Sequence, residues 1–179
     1  MKLDLGGVGK RQGKDEWWTV NLGAGIEADY NADIRGIESI VPDWSCEHIL
    51  CSHTFEHIPC YQHEETLRLW YKKMKTGGLL EIIVPDAEEI IRRYCTGEVT
   101  YTTVQNILYG SPERLKNNPL QQHAWGFSFD SLKALVESCG FARVTRKIRN
   151  WPYDFENEVD VPYYKKLLIN DIHIVCMKG

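Results

Sequence analysis

Two short apolar runs on either side of one amphipathic segment constrain the fold of this chain most strongly. The runs are EHILCS, residues 47–52, and LLEIIVP, residues 79–85, and both have the length of a strand. Between them, apolar side chains recur at helical spacing at Leu67, Trp70, Tyr71 and Met74. Gly77 and Gly78 are predicted to end this helix. A strand, a helix and a second strand in this order predict an α/β protein whose parallel sheet is covered on both faces.

Further elements of the same two kinds are predicted along the rest of the chain. Strands are predicted at residues 2–5, 17–22, 141–148 and 171–179, and helices at residues 86–96 and 128–140. Ser128 or Asp130 can cap the second of these helices. Residues 96–122 are less regular and are predicted to be an inserted segment or a lid, and residues 150–164 a long aromatic connection. Residues 1–179 are therefore interpreted as one domain.

Charge and composition exclude several classes of partner. The formal net charge is -4, from 21 basic and 25 acidic residues, and Lys or Arg never runs beyond a pair. Binding of a nucleic-acid backbone through bulk charge is therefore not expected. The start of the sequence does not resemble a signal peptide, and no run of eighteen apolar residues occurs, so a cytoplasmic protein without a membrane span is predicted. The six scattered cysteines are expected to be reduced thiols.

Two segments next to predicted strands are candidates for ligand binding. LDLGGVGKRQG places glycines directly after the first strand, where backbone N–H groups can approach a ligand. This loop is not a dinucleotide fingerprint, because Gln12 stands where the last glycine belongs, and a plain turn is an equal alternative. The second segment, TGGLLEIIVPD, places Asp86 at the carboxyl end of a strand. In open α/β sheets, ligands bind at that edge.

The window HILCSHTFEHIPCYQH, residues 48–63, contains four of the six histidines and two of the six cysteines. His53 and His57 are four residues apart and Cys60 is nearby, so a zinc site is one alternative. Pro59 interrupts any long helix there, and no C-x-x-C pair occurs in the chain. We therefore predict no metal, and interpret the window as a strand, a loop and the start of a helix.

The motifs LDLGGVG, ILCSHTFEHIP, KMKTGGLLEIIVPD and HAWGFSFDSLKALVESCGF, in this order, resemble the class I S-adenosylmethionine-dependent methyltransferases. They are most similar to the small predicted members associated with surface-polysaccharide or natural-product assembly, over nearly the whole chain. The resemblance implies a Rossmann-like, mostly parallel seven-stranded sheet with helices on both faces and an antiparallel C-terminal strand, a three-layer sandwich.

The resemblance also implies S-adenosylmethionine as cofactor and S-adenosylhomocysteine as product. The residues that it places at the cofactor are Asp4, Gly6, Gly7, Val8, Asn21, Asp33, Ile34, Ser52 and His53. Two of these positions depart from the family pattern. Val8 stands where a third glycine is common, and Asn21 stands where an acidic residue commonly binds the ribose hydroxyls.

The activity implied is methyl transfer to a small-molecule or saccharide acceptor, with sugar hydroxyl, lipid, amine and protein side chain all open as acceptor groups. His53 is the first candidate for a catalytic base, followed by His123 and Asp86. For His57 and His123, packing or capping roles are equal alternatives. The competing function is a non-catalytic or partner-dependent methyltransferase-like binding protein. A nicotinamide-dependent enzyme is disfavoured by the failed fingerprint.

Overall fold

The computed structural model describes residues 1–10, 14–23, 27–147 and 171–179. Its strands are β1 (Lys2–Leu5), β2 (Trp17–Asn21), β3 (Tyr30–Asn31), β4 (Cys46–Ser52), β5 (Met74–Val84), β6 (Phe141–Arg146) and β7 (Ile172–Lys178). They form one sheet in the order β3-β2-β1-β4-β5-β7-β6. The first five strands pair in parallel, whereas β7 runs antiparallel to both β5 and β6. The predicted Rossmann-like sheet with an antiparallel C-terminal strand is confirmed.

The helices are α1 (His63–Lys73), α2 (Ala87–Cys95), α3 (Tyr101–Tyr109), α4 (Pro112–Asn117) and α5 (Phe129–Ser138). Of the two predicted caps of α5, Ser128 is the one that forms, in a capping box with Ser131. The stretch 96–122 contains α3 and α4, and its role as a lid stays a prediction. Between β1 and β2, the described residues form only the short 3₁₀ turn Lys14–Glu16.

The main hydrophobic cluster lies on one face of the sheet, where alternate residues of neighbouring strands point to the same side. The buried strand side chains on this face include Leu3, Leu5, Ile49, Leu80, Ile82 and Ile174. They belong to one cluster with Leu67 and Trp70 of α1 and with Leu132 and Val136 of α5. The indole of Trp70 is fully buried, and its Nε1–H donates to the carbonyl of Ile34 at 2.9 Å. This bond ties α1 to the segment that follows β3.

The opposite side of the sheet carries a charged cluster. The carboxylate of Glu81 on β5 lies 2.6 Å from Nε2 of His173 and 3.1 Å from Nε2 of His48. Nζ of Lys147 lies 3.1 Å from the same carboxylate. Three partners, from β4, from β7 and from the residue after β6, thus surround one carboxylate, three residues before the carboxyl end of β5.

The end of α1 differs from the prediction. The helix ends at Lys73 rather than at Gly77 and Gly78, because Met74 is already extended and pairs with Cys46 as the first residue of β5. Gly77 lies within the strand at a φ of 75°. Pairing with β4 therefore overrides the helical spacing of Met74. The predicted connection 150–164, including Trp151, lies outside the described residues.

All six cysteines are free thiols, and Cys46, Cys51, Cys139 and Cys176 are buried. Within the described part of the chain, no helix combines the length and the apolar character needed to cross a membrane.

Candidate functional site

The glycine loop after β1 packs closely against the segment that follows β4 and against Asp4 of β1. Gly6 has a φ of 87°, and a Cβ at this position would collide with the side chain of Thr54. A Cβ at Gly7 would lie 2.5 Å from the carboxyl group of Asp4, which is itself buried. Both glycines are therefore needed for close packing of the protein on itself. Val8, in contrast, is 76% exposed.

Asn21 lies at the end of β2, beside this loop. Its amide nitrogen donates to the carbonyl of Gly6 at 2.8 Å and to the carbonyl of Gly7 at 3.1 Å. Both N–H groups of the side chain are thus used inside the protein.

Asp33 and Ile34 follow β3 at the same edge of the sheet. The carboxylate of Asp33 pairs with the guanidinium of Arg35, which in turn donates to the side chain of Gln62. This hydrogen bonding to Arg35 holds the pKa of Asp33 below its usual range. About a third of the Asp33 side chain is exposed, whereas Ile34 is buried. Asp33 therefore presents a charged, oriented carboxylate at the rim.

The segment after β4 places His53 between two carboxylates. Nδ1 of His53 lies 3.7 Å from Oε1 of Glu56, and Nε2 lies 3.3 Å from Oδ2 of Asp171. His53 has a φ of 49°, a left-handed conformation that is uncommon outside glycine and often marks a functional position. Its backbone N–H donates to the carbonyl of Ile83, which fixes the turn to β5. Ser52 is the last residue of β4, and its carbonyl accepts from the Thr54 hydroxyl at 3.0 Å.

Electrostatics in this segment favour a charged imidazole. Burial lowers the pKa of His53, but the carboxylates of Asp171 and Glu56 more than offset it and raise that pKa well above its usual range. Burial raises the pKa of Glu56, but His53 beside it reverses the effect and the pKa is lowered overall. The pair is therefore an imidazolium facing carboxylates at neutral pH.

His57 and His123 come together although they are distant in the sequence. Their rings meet edge to face with centroids 4.9 Å apart. Nδ1 of His57 bonds to the carbonyl of Gln122 at 3.0 Å, and Nδ1 of His123 bonds to the carbonyl of Ile107 at 2.7 Å. Burial lowers the pKa of His123. Glu56 is adjacent, so that one ligating atom from each of Glu56, His57 and His123 lies within 4.8 Å of the other two.

Asp86, the third candidate for a catalytic base, has a structural environment. Its Oδ1 accepts from the backbone N–H of Glu89 at 3.1 Å and so caps α2. Its Oδ2 accepts from the guanidinium of Arg146 at 2.8 Å. Asp86 is only 5% exposed, and both oxygens of its carboxylate accept hydrogen bonds within the protein.

Two residues of the site, Asp171 and Thr54, were not predicted from the sequence. Asp171 precedes β7, and because β7 is antiparallel, its start lies at the carboxyl edge of the parallel strands. That topology, with an acidic residue before the last strand, is a signal that could have identified it. Thr54, which lies against Gly6, has no such signal, because only the packing of the two loops reveals the contact.

Comparison with known proteins identifies the fold. No family model matches the sequence, and no curated protein matches it significantly. Solved structures do match. A SAM-dependent methyltransferase from Archaeoglobus fulgidus is 18% identical, with 98% of this chain and 85% of that chain covered and a TM-score of 0.61.

Two further matches are informative about methyltransferases of this fold. Phosphoethanolamine N-methyltransferase 2 of Haemonchus contortus, in complex with phosphomonomethylethanolamine and S-adenosylhomocysteine, is 12% identical, with all of this chain but 50% of that chain covered and a TM-score of 0.60. A putative methyltransferase of Haloferax volcanii, in complex with the Trm112 methyltransferase activator, is 14% identical. The match covers 99% of this chain and 81% of that chain, with a TM-score of 0.59. The chain therefore has the fold of the class I S-adenosylmethionine-dependent methyltransferases.

Proposed function

We propose that this chain, which has the class I methyltransferase fold, transfers a methyl group from S-adenosylmethionine to a small-molecule or saccharide acceptor and releases S-adenosylhomocysteine. The observation that supports this function is the convergence of three segments at the carboxyl edge of the sheet. They are the glycine loop at Gly6, the turn at His53 after β4, and Asp33 after β3. In open α/β sheets, this edge is the usual ligand site.

The residues at this edge fit the cofactor in chemical character. Asp4 is a buried carboxylate directly beneath the glycine loop, suited to a cationic amino group. Asp33 is an oriented carboxylate at the rim, suited to the hydrogen-bond donors of an adenosine. Asn21 holds the loop in shape rather than offering its N–H groups to a ligand. Bound S-adenosylmethionine supplies an electrophilic methyl group on a sulfonium.

The protein's own contribution is alignment of the acceptor and handling of its proton. Alignment of two reactants in one site can lower a barrier by about 7–11 kcal/mol. The raised pKa of His53 keeps its imidazole protonated, so His53 is assigned the role of orienting the two carboxylates beside it rather than that of a base. The acceptor's proton would then pass to one of these carboxylates, Glu56 at 3.7 Å or Asp171 at 3.3 Å from the imidazole.

Asp86 is assigned a structural role, because its carboxylate is buried and both oxygens are engaged. The carboxylate of Asp33 is also bonded to Arg35 through both oxygens, but about a third of its side chain is exposed and accessible to a ligand.

Isothermal titration of the full chain with S-adenosylmethionine and S-adenosylhomocysteine tests the proposal. Micromolar binding of both ligands is expected. Asp33→Ala and Asp33→Asn are expected to weaken it by about tenfold or more, since a charge-assisted hydrogen bond contributes about 1.5–3 kcal/mol. Asp130→Ala, an exposed aspartate at the start of α5, is the matched control and should bind like the wild type.

A partner-dependent methyltransferase is the second candidate. It is favoured by Asn21, whose N–H groups are committed to the loop at the position where a ribose-binding carboxylate is usual. If the folded chain binds neither ligand, the autonomous enzyme is excluded and this candidate takes its place. Binding that survives both Asp33 substitutions would instead contradict the assignment of Asp33.

A further inference from the structure

The strongest unassigned feature is the carboxylate of Glu56. Glu56 is only 2% exposed, and neither of its oxygens makes a hydrogen bond within the described part of the chain. The nearest imidazole nitrogen, Nδ1 of His53, is 3.7 Å away, which is beyond hydrogen-bonding distance. The charge of His53 balances that of Glu56, but both carboxylate oxygens are left without a hydrogen-bond donor among the residues that the structure describes. Buried carboxylate oxygens ordinarily accept hydrogen bonds or bind a metal.

Two imidazoles, those of His57 and His123, stand next to this carboxylate, and each uses Nδ1 in a hydrogen bond to the backbone. A carbonyl oxygen can only accept, so Nδ1 of His57 donates to Gln122 and Nδ1 of His123 donates to Ile107. With the proton on Nδ1, the neutral ring keeps its lone pair on Nε2. A backbone carbonyl that orients a histidine in this way is the usual second contact of a metal-binding imidazole.

We propose that Glu56, His57 and His123 form a binding site for one divalent transition-metal ion of the zinc type. The three side chains offer ligating atoms that lie within 4.8 Å of one another. Side-chain movements of about 1 Å would bring them to the separation of about 3.4 Å that a tetrahedral ion requires. Two imidazole nitrogens and one carboxylate oxygen form a donor set that zinc and its first-row neighbours accept, whereas magnesium and calcium prefer oxygen alone. Three protein ligands leave a fourth position for water or an acceptor oxygen.

The backbone preorganises these ligands. Glu56 and His57 lie on the 3₁₀ turn Phe55–His57, directly after β4. The carbonyl of Glu56 accepts from the backbone N–H groups of Ala124, at 2.8 Å, and of Trp125, at 3.1 Å. The segment that carries His123 is thereby fastened to the turn that carries the other two ligands. An ion bound between them would join the end of β4 to the segment before α5, beside His53.

Metal titration of the chelator-treated full chain tests the site directly. Co²⁺ is added while the visible d–d absorption is recorded, and Zn²⁺ is then added to displace it. One equivalent of Co²⁺ is expected to bind and to be displaced by one equivalent of Zn²⁺. Glu56→Gln, His57→Gln and His123→Gln are each expected to weaken binding by about tenfold or more. His48→Gln, at the separate Glu81 cluster, is the matched control and should bind as the wild type does.

Circular dichroism of each variant establishes that it is folded. Glu56→Gln keeps the size of the side chain and provides the ligand test if a histidine variant does not fold. Absence of one-to-one binding to the folded wild-type chain overturns the proposal. So does binding that survives the substitution of all three ligands, or that His48→Gln removes. These readouts involve no S-adenosyl ligand, so failure of the metal site is distinguishable from failure of the methyltransferase proposal.

Discussion

The side-chain amide of Asn21 donates to the carbonyl of Gly6 at 2.8 Å and so links the end of β2 to the glycine loop after β1. A second bond from the same nitrogen reaches the carbonyl of Gly7 at 3.1 Å. A carboxylate has no N–H group and could make neither bond. Asn21 therefore stabilises the glycine loop, which an acidic residue at this position could not do in the same way.

Asn21→Asp is accordingly expected to destabilise the protein. The new carboxylate would face two carbonyl oxygens, and the loss of the two hydrogen bonds should cost about 1–3 kcal/mol. Urea unfolding measures the change, with the exposed Asn31→Asp as control. A variant as stable as the wild type would mean that these bonds do not hold the loop.

Gly6 and Gly9 form a matched pair for the packing of the glycine loop. They have nearly the same φ, 87° and 86°, but a Cβ at Gly6 would strike Thr54, whereas nothing lies within 4 Å of one at Gly9. Gly9→Ala should therefore cost only the left-handed backbone strain, about 1–2 kcal/mol. Gly6→Ala should cost about 1–3 kcal/mol more, because the clash adds to the strain.

Urea unfolding of the two glycine variants, at one pH and temperature, gives this difference directly. Equal losses at the two positions would show that Thr54 moves aside without cost, and that the contact does not restrict residue 6.

Asp86 is expected to act mainly as a structural residue. Asp86→Ala removes the cap of α2 and the pair with Arg146, and should cost about 1–2 kcal/mol. Asp86→Asn keeps an oxygen for the backbone N–H of Glu89, so its loss should be clearly smaller. Thermal or urea unfolding compares the two variants. If Asp86→Asn loses as much as Asp86→Ala, the charge rather than the cap stabilises this end of β5.

The strands and helices that have a clear local sequence pattern could be predicted from the sequence. Apolar runs marked β1, β4 and β5, and the Ser128 cap marked the start of α5. The two-residue strand Tyr30–Asn31 is too short to show a period. Met74 continues the helical spacing of α1, yet it pairs with Cys46, because tertiary pairing overrides a weak local preference.

The candidate site was predictable in part for a related reason. His53 is recognisable beside a predicted strand, but the groups that meet it depend on segments distant in the sequence. Only the fold brings His123 against His57 and Asp171 against His53. That Glu56 is buried without a hydrogen bond in the described residues is equally a property of three-dimensional packing.

Glu81 should make folding stability depend on acid pH. Hydrogen bonding to His173, and then the nearby His48 and Lys147, hold the pKa of Glu81 well below its value of 4.5 in an unfolded chain. Because the folded pKa is depressed, the stabilisation is fully present above the unfolded pKa and is lost as the pH falls towards the folded one. The free energy of unfolding should therefore begin to fall near pH 5 and decline towards pH 2.

Urea unfolding at a series of pH values between 7 and 2.5 tests this relation. Glu81→Gln should cost about 1–2 kcal/mol at pH 7 and flatten the acid decline, since no carboxylate remains there to be protonated. Glu113→Gln, at an exposed position at the start of α4, should leave the acid decline unchanged. A Glu81→Gln variant with the full wild-type slope would show that other carboxylates determine the acid sensitivity, and that the cluster on β4, β5 and β7 does not.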